Sequence, residues 1–363
     1  VHTRILKTRH KGIFLRNFNF KTVAYKGSKR KLVSTIVELA KETSPARVFD
    51  GFSGTGIVSA ALRTSGFEVV ANDLNISSFI YGSVFLNGYE PANIAMHLDN
   101  MNQIEPRPDW LTNNYSGTVV RKIRGTGGMM ANRPLGLTRD NAAKIDAARN
   151  YIEEIKGLTP QDKNALIFSV IRACDGVFNN SNDQKSALKE WSKKSLAPVK
   201  FEAPTLIEGP QGIQLKGDIF HLNVPPCDFV YFDPPYTHGV LYASCYHLNN
   251  SLAIWDKPAL DGSYAIPRPQ RAKFRGKTPG AFYSKKTIQD DFDRLLSKYK
   301  SRRIVLSYSD APRNCITISE LTKICNKHGK VKVIDIDHKI CTQYKTQNKI
   351  SNNLKEFFII IDN

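Results

Sequence analysis

The run Cys227-Asp228-Phe229-Val230-Tyr231-Phe232-Asp233-Pro234-Pro235-Tyr236 limits the fold more than any other stretch of this chain. Its apolar centre, Phe229 to Phe232, predicts a strand buried on both faces, as in a parallel sheet. A carboxylate, two prolines and an aromatic follow at once. Proline has no N–H for a sheet ladder, so the chain must leave the sheet there. Asp233 and Tyr236 are then presented at the carboxyl end of a strand, where open α/β sheets place their ligands.

The chemistry of that presentation suits an unreactive amine. The exocyclic nitrogen of adenine is a poor nucleophile because its lone pair is delocalised into the ring. A carboxylate at Asp233 and a fixed carbonyl at Pro234 can accept its two hydrogens and free that lone pair. Tyr236 can stack on a base taken out of a duplex. The plainer alternative is a proline-rich turn after a buried strand.

A second feature lies upstream. Arg47-Val48-Phe49-Asp50 predicts a short strand, Gly51-Phe52-Ser53-Gly54-Thr55-Gly56 a turn, and Ile57 to Leu62 a helix. Glycines let the backbone approach a ligand and take up positive φ. The pattern is neither a dinucleotide fingerprint nor a Walker loop. Its Phe-x-Gly-x-Gly form suits the amino-acid end of S-adenosylmethionine. The next strand, Gly66 to Asp73, ends on an acid about 20 residues past the glycines, where a carboxylate accepts from ribose hydroxyls. Before both comes Tyr25-Lys26-Gly27-Ser28-Lys29, at the start of a helix predicted over Val33 to Lys41. Backbone N–H groups and Lys29 could receive a carboxylate or phosphate there. Gly217-Asp218-Ile219-Phe220 reads as a strand end or turn, with Asp218 able to accept from a cofactor's adenine amine.

From about residue 90 to 213 the strand–helix rhythm lapses. Pro91, Pro106 and Pro108 predict a loop-rich stretch, and Gly125, Gly127 and Gly128 another loop. Thr138 caps a long helix carrying Ala142, Ile145, Ala148 and Ile152, and a second helix follows Pro160. The stretch reads as an insertion between two halves of one sheet. Arg121, Lys122, Arg124, Arg133 and Arg139 are expected to face phosphates there. After Tyr236 periodic segments are few, and Arg271, Lys273 and Arg275 mark a basic loop that could close over DNA. Thereafter a helix is predicted at 287–299, a strand at 303–308, a helix at 316–328, and paired strands at 331–336 and 357–361.

The formal net charge of +19 points to a polyanionic partner. No run of about 18 apolar residues predicts a membrane span. The basic, aromatic start has no apolar secretory segment, so a cytosolic protein is expected. None of the six cysteines forms a Cys-x-x-Cys pair or has zinc spacing, so no metal is expected.

Taken in chain order, from the Lys-Gly turn through Phe-Ser-Gly-Thr-Gly, Asp73, the insertion and Gly-Asp-x-Phe to Asp-Pro-Pro-Tyr, these motifs resemble the Dam/DpnII-like class of DNA adenine-N6 methyltransferases. The resemblance covers roughly residues 20–88 and 214–363 and is traceable across the insertion. It implies a three-layer α/β, Rossmann-like methyltransferase fold, mainly parallel with a reversed strand, plus a helical insertion. Residues 1–88 would form the first, cofactor-binding half of the catalytic domain, 89–213 a target-recognition insertion, and 214–363 the second half. It implies that Tyr25 and Lys29 contact the methionine moiety of S-adenosylmethionine. Asp50, Phe52, Ser53, Gly54, Thr55 and Gly56 would shape the methyl-donor pocket, Asp73 hold the ribose, and Asp218, Ile219 and Phe220 the cofactor's adenine. Asp233, Pro234, Pro235 and Tyr236 would hold a flipped target adenine. The first turn departs from the family's commoner aromatic-Ala-Gly-Gly-Lys form. The activity implied is site-specific methylation of duplex DNA in a bacterial, archaeal or phage setting, either paired with a restriction endonuclease or as an orphan bacterial or phage enzyme. Cytosine-N4 methylation, an RNA substrate and a catalytically silent DNA-binding module are the rival expectations.

Overall fold

The computed structural model describes residues 18, 20–25, 27–122, 130–180, 183–184, 187–237, 242–261, 268–269, 281–336 and 355–363. Its strands are β1 (Arg47–Asp50), β2 (Glu68–Asp73), β3 (Thr118–Lys122), β4 (Met130–Pro134), β5 (Ile213–Lys216), β6 (Phe229–Phe232), β7 (Leu260–Asp261), β8 (Arg268–Pro269), β9 (Arg303–Ser309), β10 (Lys330–Ile336) and β11 (Glu356–Asp362). Seven of them form one sheet in the order β10-β11-β9-β6-β1-β2-β5. From β9 to β5 every pairing is parallel. β11 runs against both its neighbours. The expected reversed strand is therefore the last one, set one position in from the edge.

Parallel strands buried on both faces require apolar residues at odd and even positions alike. Phe49, Val70, Val230 and Phe232 point to one face and pack with Phe292, Leu295, Leu321 and Ile324. Val48, Val69, Phe229 and Tyr231 point to the other. There they meet α1 (Val33–Lys41) and α2 (Ile57–Thr64) through Ile36, Val37, Val58 and Leu62. This gives the three layers that the sequence predicts.

The insertion is helical from its start. After α3 (Ile76–Asn87) come α4 (Pro91–Gln103), α5 (Trp110–Tyr115), the β3–β4 hairpin, α6 (Arg139–Glu154) and α7 (Pro160–Val177). The loop expected at Pro91 is corrected to a helix. Pro91 occupies the first turn, where its missing N–H costs nothing, and the Glu90 side chain accepts from the Ala92 N–H. Thr138 caps α6 as the sequence predicts, and Thr159 caps α7. The helix His247–Ile254, by contrast, has no clear period in the sequence. It packs Leu248 and Leu252, with Trp255, into the same core as Ile145, Phe168 and Ile171. The insertion's core thus borrows a segment from the second half of the chain, and the division at residue 214 is not clean. Among the described residues no helix is long and apolar enough to cross a membrane.

One buried carboxylate fastens this helical layer. Asp146, wholly inaccessible, accepts from the N–H groups of Asp109, Leu111 and Thr112 and from the Thr112 hydroxyl. It does for α5 from another helix what a capping side chain does locally. Asp146→Ala strands those donors in a closed core. It should cost at least about 3 kcal/mol of stability, read as a lower urea midpoint.

Candidate active site

Three neighbouring parallel strands end on acids at the same edge. Asp50 closes β1, Asp73 closes β2, and Asp233 follows the last residue of β6. The registers Asp50↔Ala71 and Asp50↔Tyr231 set Asp73 and Asp233 level with each other, each two positions beyond Asp50 along the same edge. Between β1 and α2 the turn folds on glycine, with φ of +53° at Gly54 and +74° at Gly56. Left-handed φ at both positions favours glycine. The ring of Tyr25 lies directly over Gly54, where a Cβ would meet Tyr25 Cε1 at 3.4 Å. Tyr25 in turn stacks on Tyr246, with centroids 4.3 Å apart and planes 10° off parallel.

The loop is held by the acids and by one amide. Asp73 Oδ2 accepts from the Gly54 N–H at 2.9 Å, and Oδ1 from the Asn75 N–H at 2.8 Å. Asn72 donates to the Gly51 and Gly217 carbonyls and accepts from the Gly217 N–H. It ties the glycine turn to the Asp218 turn, which lies beyond β5. A buried asparagine next to a strand-end acid is the one signal that could have singled Asn72 out. Asp218 is half-exposed and accepts from the Phe220 N–H. Phe220 stacks on Phe282, Phe52 meets Phe282 edge-on, and the Ile219 carbonyl accepts from Tyr299. Phe52, Ile219 and Phe220 therefore line one aromatic wall beside the glycine turn. Thr55 is buried within that turn.

The charges are arranged unevenly. Burial pushes the Asp50 carboxyl up to about 7, opposed by the Ser59 hydroxyl and helped by the charges of Asp233 and Asp73. Burial likewise raises Asp73 to about 6 against its backbone hydrogen bonds. Asp233 also stands at about 6, raised by burial, lowered by Lys29 and raised again by Glu356. A fifth of its side chain still faces solvent (20%), so it lies recessed in a cleft and not in a dry core. Asp50 Oδ1 and Ser53 Oγ are buried with no hydrogen-bond partner among the described residues. A row of carboxylates with unfilled acceptors fits a ligand that carries positive charge.

Lys29 departs from its expected place. Its buried ammonium lies 3.0 Å from Asp233 Oδ1, 3.1 Å from Glu356 Oε1 and 3.3 Å from the Gly27 carbonyl. An ammonium has three donors, and all three are taken, which leaves none for a methionine carboxylate. Burial works against its charge, but the nearby carboxylates overcome it and hold its pKa well above the ordinary value. Glu356 reaches the site from β11, 123 positions beyond Asp233 in the sequence, and nothing in its local pattern sets it apart.

The Asp-Pro-Pro-Tyr segment is firmly set. Pro234 is buried. Tyr236 rests on Tyr308, with centroids 4.2 Å apart at a tilt of 42°, and its carbonyl accepts from the Cys315 N–H. Of the basic residues expected to face DNA, Arg124, Arg271, Lys273 and Arg275 lie outside the described residues. Arg121, Lys122 and Arg133 fall on the β3–β4 hairpin, Arg121 paired with Ala131 and Arg133 with Val119. Arg139 is exposed at the first turn of α6. Asn179 donates to the Glu190 carbonyl and accepts from the Ser192 N–H and the Ser195 hydroxyl inside the fold. Among the described residues no group of His, Cys, Asp and Glu could hold a metal ion.

Removing the ammonium should leave Asp233 beside Glu356 with no counter-charge. Lys29→Met is therefore expected to raise the Asp233 pKa above about 6, because Lys29 lowers it in the intact protein. A carbon-13 titration of the Asp233 carboxyl reads this directly, and an unchanged midpoint would contradict the pairing.

Comparison with known proteins agrees with this geometry. The family model for D12 class N6 adenine-specific DNA methyltransferases matches residues 25–278. Type II methyltransferase M.NlaIII of Neisseria lactamica is 26% identical over 353 residues, covering 93% of this chain and 98% of that protein. Type II methyltransferase M.FokI of Planomicrobium okeanokoites is 25% identical over 355 residues, covering 92% of this chain and 52% of that one. Modification methylase StsI of Streptococcus sanguinis is 26% identical, with 93% and 51% covered. The chain thus spans about half the length of these last two relatives. Among solved structures, magnesium protoporphyrin IX methyltransferase from Synechocystis PCC 6803 with bound SAM is 10% identical, with a TM-score of 0.34 over 92% of this chain and 79% of that one. That likeness is too loose to carry weight. The family match spans well over half of the sequence and takes in the glycine turn, the acid row and Asp-Pro-Pro-Tyr, so this chain belongs to the D12 class of N6 adenine-specific DNA methyltransferases.

Proposed function

We propose that the acid row and glycine turn hold S-adenosylmethionine, and that Asp233, Pro234 and Tyr236 receive an adenine turned out of duplex DNA. The observation that carries this reading is the position of Asp233. It lies beside two further buried acids at the end of β6, with a neighbouring glycine turn that has unfilled acceptors. When bound, S-adenosylmethionine supplies a methyl group made electrophilic by its positive sulfur. Asp50 and Asp73 hold that positive charge by attraction, and Asp50 Oδ1 and Ser53 Oγ offer unfilled acceptors. Phe52, Ile219 and Phe220 give its adenine an apolar wall, and Asp218 can accept from the amine. Tyr25, fixed by Tyr246, shields the glycine turn from solvent.

Asp233 accepts a hydrogen from the target amine, which shifts the nitrogen lone pair out of the ring. With a pKa of about 6 it is ionised at neutral pH and ready to do so. The same charge favours the positive character that the nitrogen gains as it is methylated, a preorganised electrostatic effect. Pro235 fixes the path between Pro234 and Tyr236. The role of Lys29 becomes that of partner to Asp233.

We also assign target recognition to the insertion, with the β3–β4 hairpin and the start of α6 meeting phosphates. The net charge supports this, although some arginines are used internally. Arg149 is fully buried against Leu252 and Glu153. We further propose a role in protecting DNA from a cognate endonuclease in the cytoplasm of a bacterial, archaeal or phage-infected cell; the type II and modification methylases among the relatives support it.

Asp233→Ala should lower the rate of methyl transfer by about 100- to 1,000-fold, as loss of one preorganised charge does. It should leave the affinity for S-adenosylmethionine nearly unchanged. Equal loss of rate and of donor binding would move Asp233 from the target side of the site to the donor side.

A further inference from the structure

We propose that Glu356 is a positioning residue that draws part of the Lys29 charge away from Asp233 and so sets how strongly Asp233 accepts from the target amine. This rests on the reading of Asp233 as the amine's acceptor. Glu356 opens β11, where it pairs with Ser309 of β9 and Ile336 of β10. It is 5% exposed. Its Oε1 takes both the Lys29 ammonium at 3.1 Å and the Ser307 hydroxyl at 2.8 Å. The ammonium is thus almost equally far from Glu356 and from Asp233 at 3.0 Å.

A buried lysine needs one counter-charge, and Asp233 already supplies it. A second buried carboxylate is costly to desolvate and adds negative charge to a site that already contains Asp50 and Asp73. Its presence has a chemical consequence. A carboxylate that alone neutralises an ammonium is a weak acceptor for a neutral amine. One that shares the ammonium with a rival keeps more of its own charge. The groups that face the ammonium come from four elements. These are Asp233 and Tyr236 from the segment after β6, Tyr231 from β6 itself, Glu356 from β11, and Ser307 from β9 through Glu356. The charge of Asp233 also reaches Asp50 on β1.

The test is single-turnover methyl transfer to duplex DNA by the full chain, followed from about pH 5 to about pH 9. Wild type, Glu356→Gln and Glu356→Asp are compared. Glu356 raises the pKa of Asp233, so its neutralisation should carry the acid limb of the profile to lower pH. The plateau rate should fall about tenfold, the rate equivalent of one pKa unit of acceptor strength. Affinities for S-adenosylmethionine and DNA should hold, and Glu356→Asp should restore part of the rate. A Gln variant with the wild-type profile and plateau would overturn the proposal. So would a plateau that falls only in proportion to the folded fraction, measured by near-ultraviolet circular dichroism. If Glu356→Gln does not fold, the Asp variant carries the same test through its acid limb. Wild-type label found away from adenine N6 would instead overturn the reading of Asp233, and the role of Glu356 with it.

Discussion

Carboxylates taken out of water are costly to ionise, and the site is organised around that burial. Asp50, Asp73 and Asp233 end three adjacent parallel strands, and each is held with a raised pKa. A row of this kind stands only if its charge is answered. Backbone N–H groups answer Asp73, the Ser59 hydroxyl answers Asp50, and the Lys29 ammonium answers Asp233. What stays unanswered, chiefly Asp50 Oδ1 and Ser53 Oγ, is what a cationic donor can complete. The topology serves this row, because only parallel neighbours bring their carboxyl ends to one edge.

Lys29 links the two halves of the chain, alongside the pairing of β1 with β6 and β2 with β5. It stands before α1, yet its partners come from β6 and from the final strand. A methyl donor on one side and a base on the other need their binding groups in fixed relation, and a buried ion pair across the sheet supplies that. Asn72 does the same for the glycine turn and the Asp218 turn. The stack of Tyr25 on Tyr246 joins the first turn to the helical layer that borrows His247–Ile254. The Ala24 N–H adds to this by donating to Asp175 on α7.

Much of this was legible in sequence where a local rule speaks. The apolar run Phe229 to Phe232 cut short by two prolines admits little but a buried strand and an exit. The glycine turn, the strand to Asp73 and the cap at Thr138 are signals of the same kind. Pro91 misled, because proline marks a helix start as readily as a loop, and only the Glu90 cap decides between them. Strand β5 is four residues long at an edge, with a burial pattern too short to show a period. Glu356 was not legible because its role depends on register. Only the pairing of β11 with β9 brings it to the Lys29 ammonium. The phosphate-facing roles of Arg121, Lys122 and Arg133 stay at the level of their place on a hairpin.

The most direct test of the acid row compares the binding of S-adenosylmethionine and S-adenosylhomocysteine, which differ in the charge on sulfur. Calorimetry between about pH 8 and about pH 5 would span the titration of the three acids. Their pKa values of about 6 to about 7 mean that they are ionised at the upper end and protonated at the lower. The account predicts that affinity for the charged donor, relative to its neutral-sulfur counterpart, shrinks as pH falls through that window. A ratio that stays constant across the range would contradict the claim that these carboxylates hold the donor by its charge.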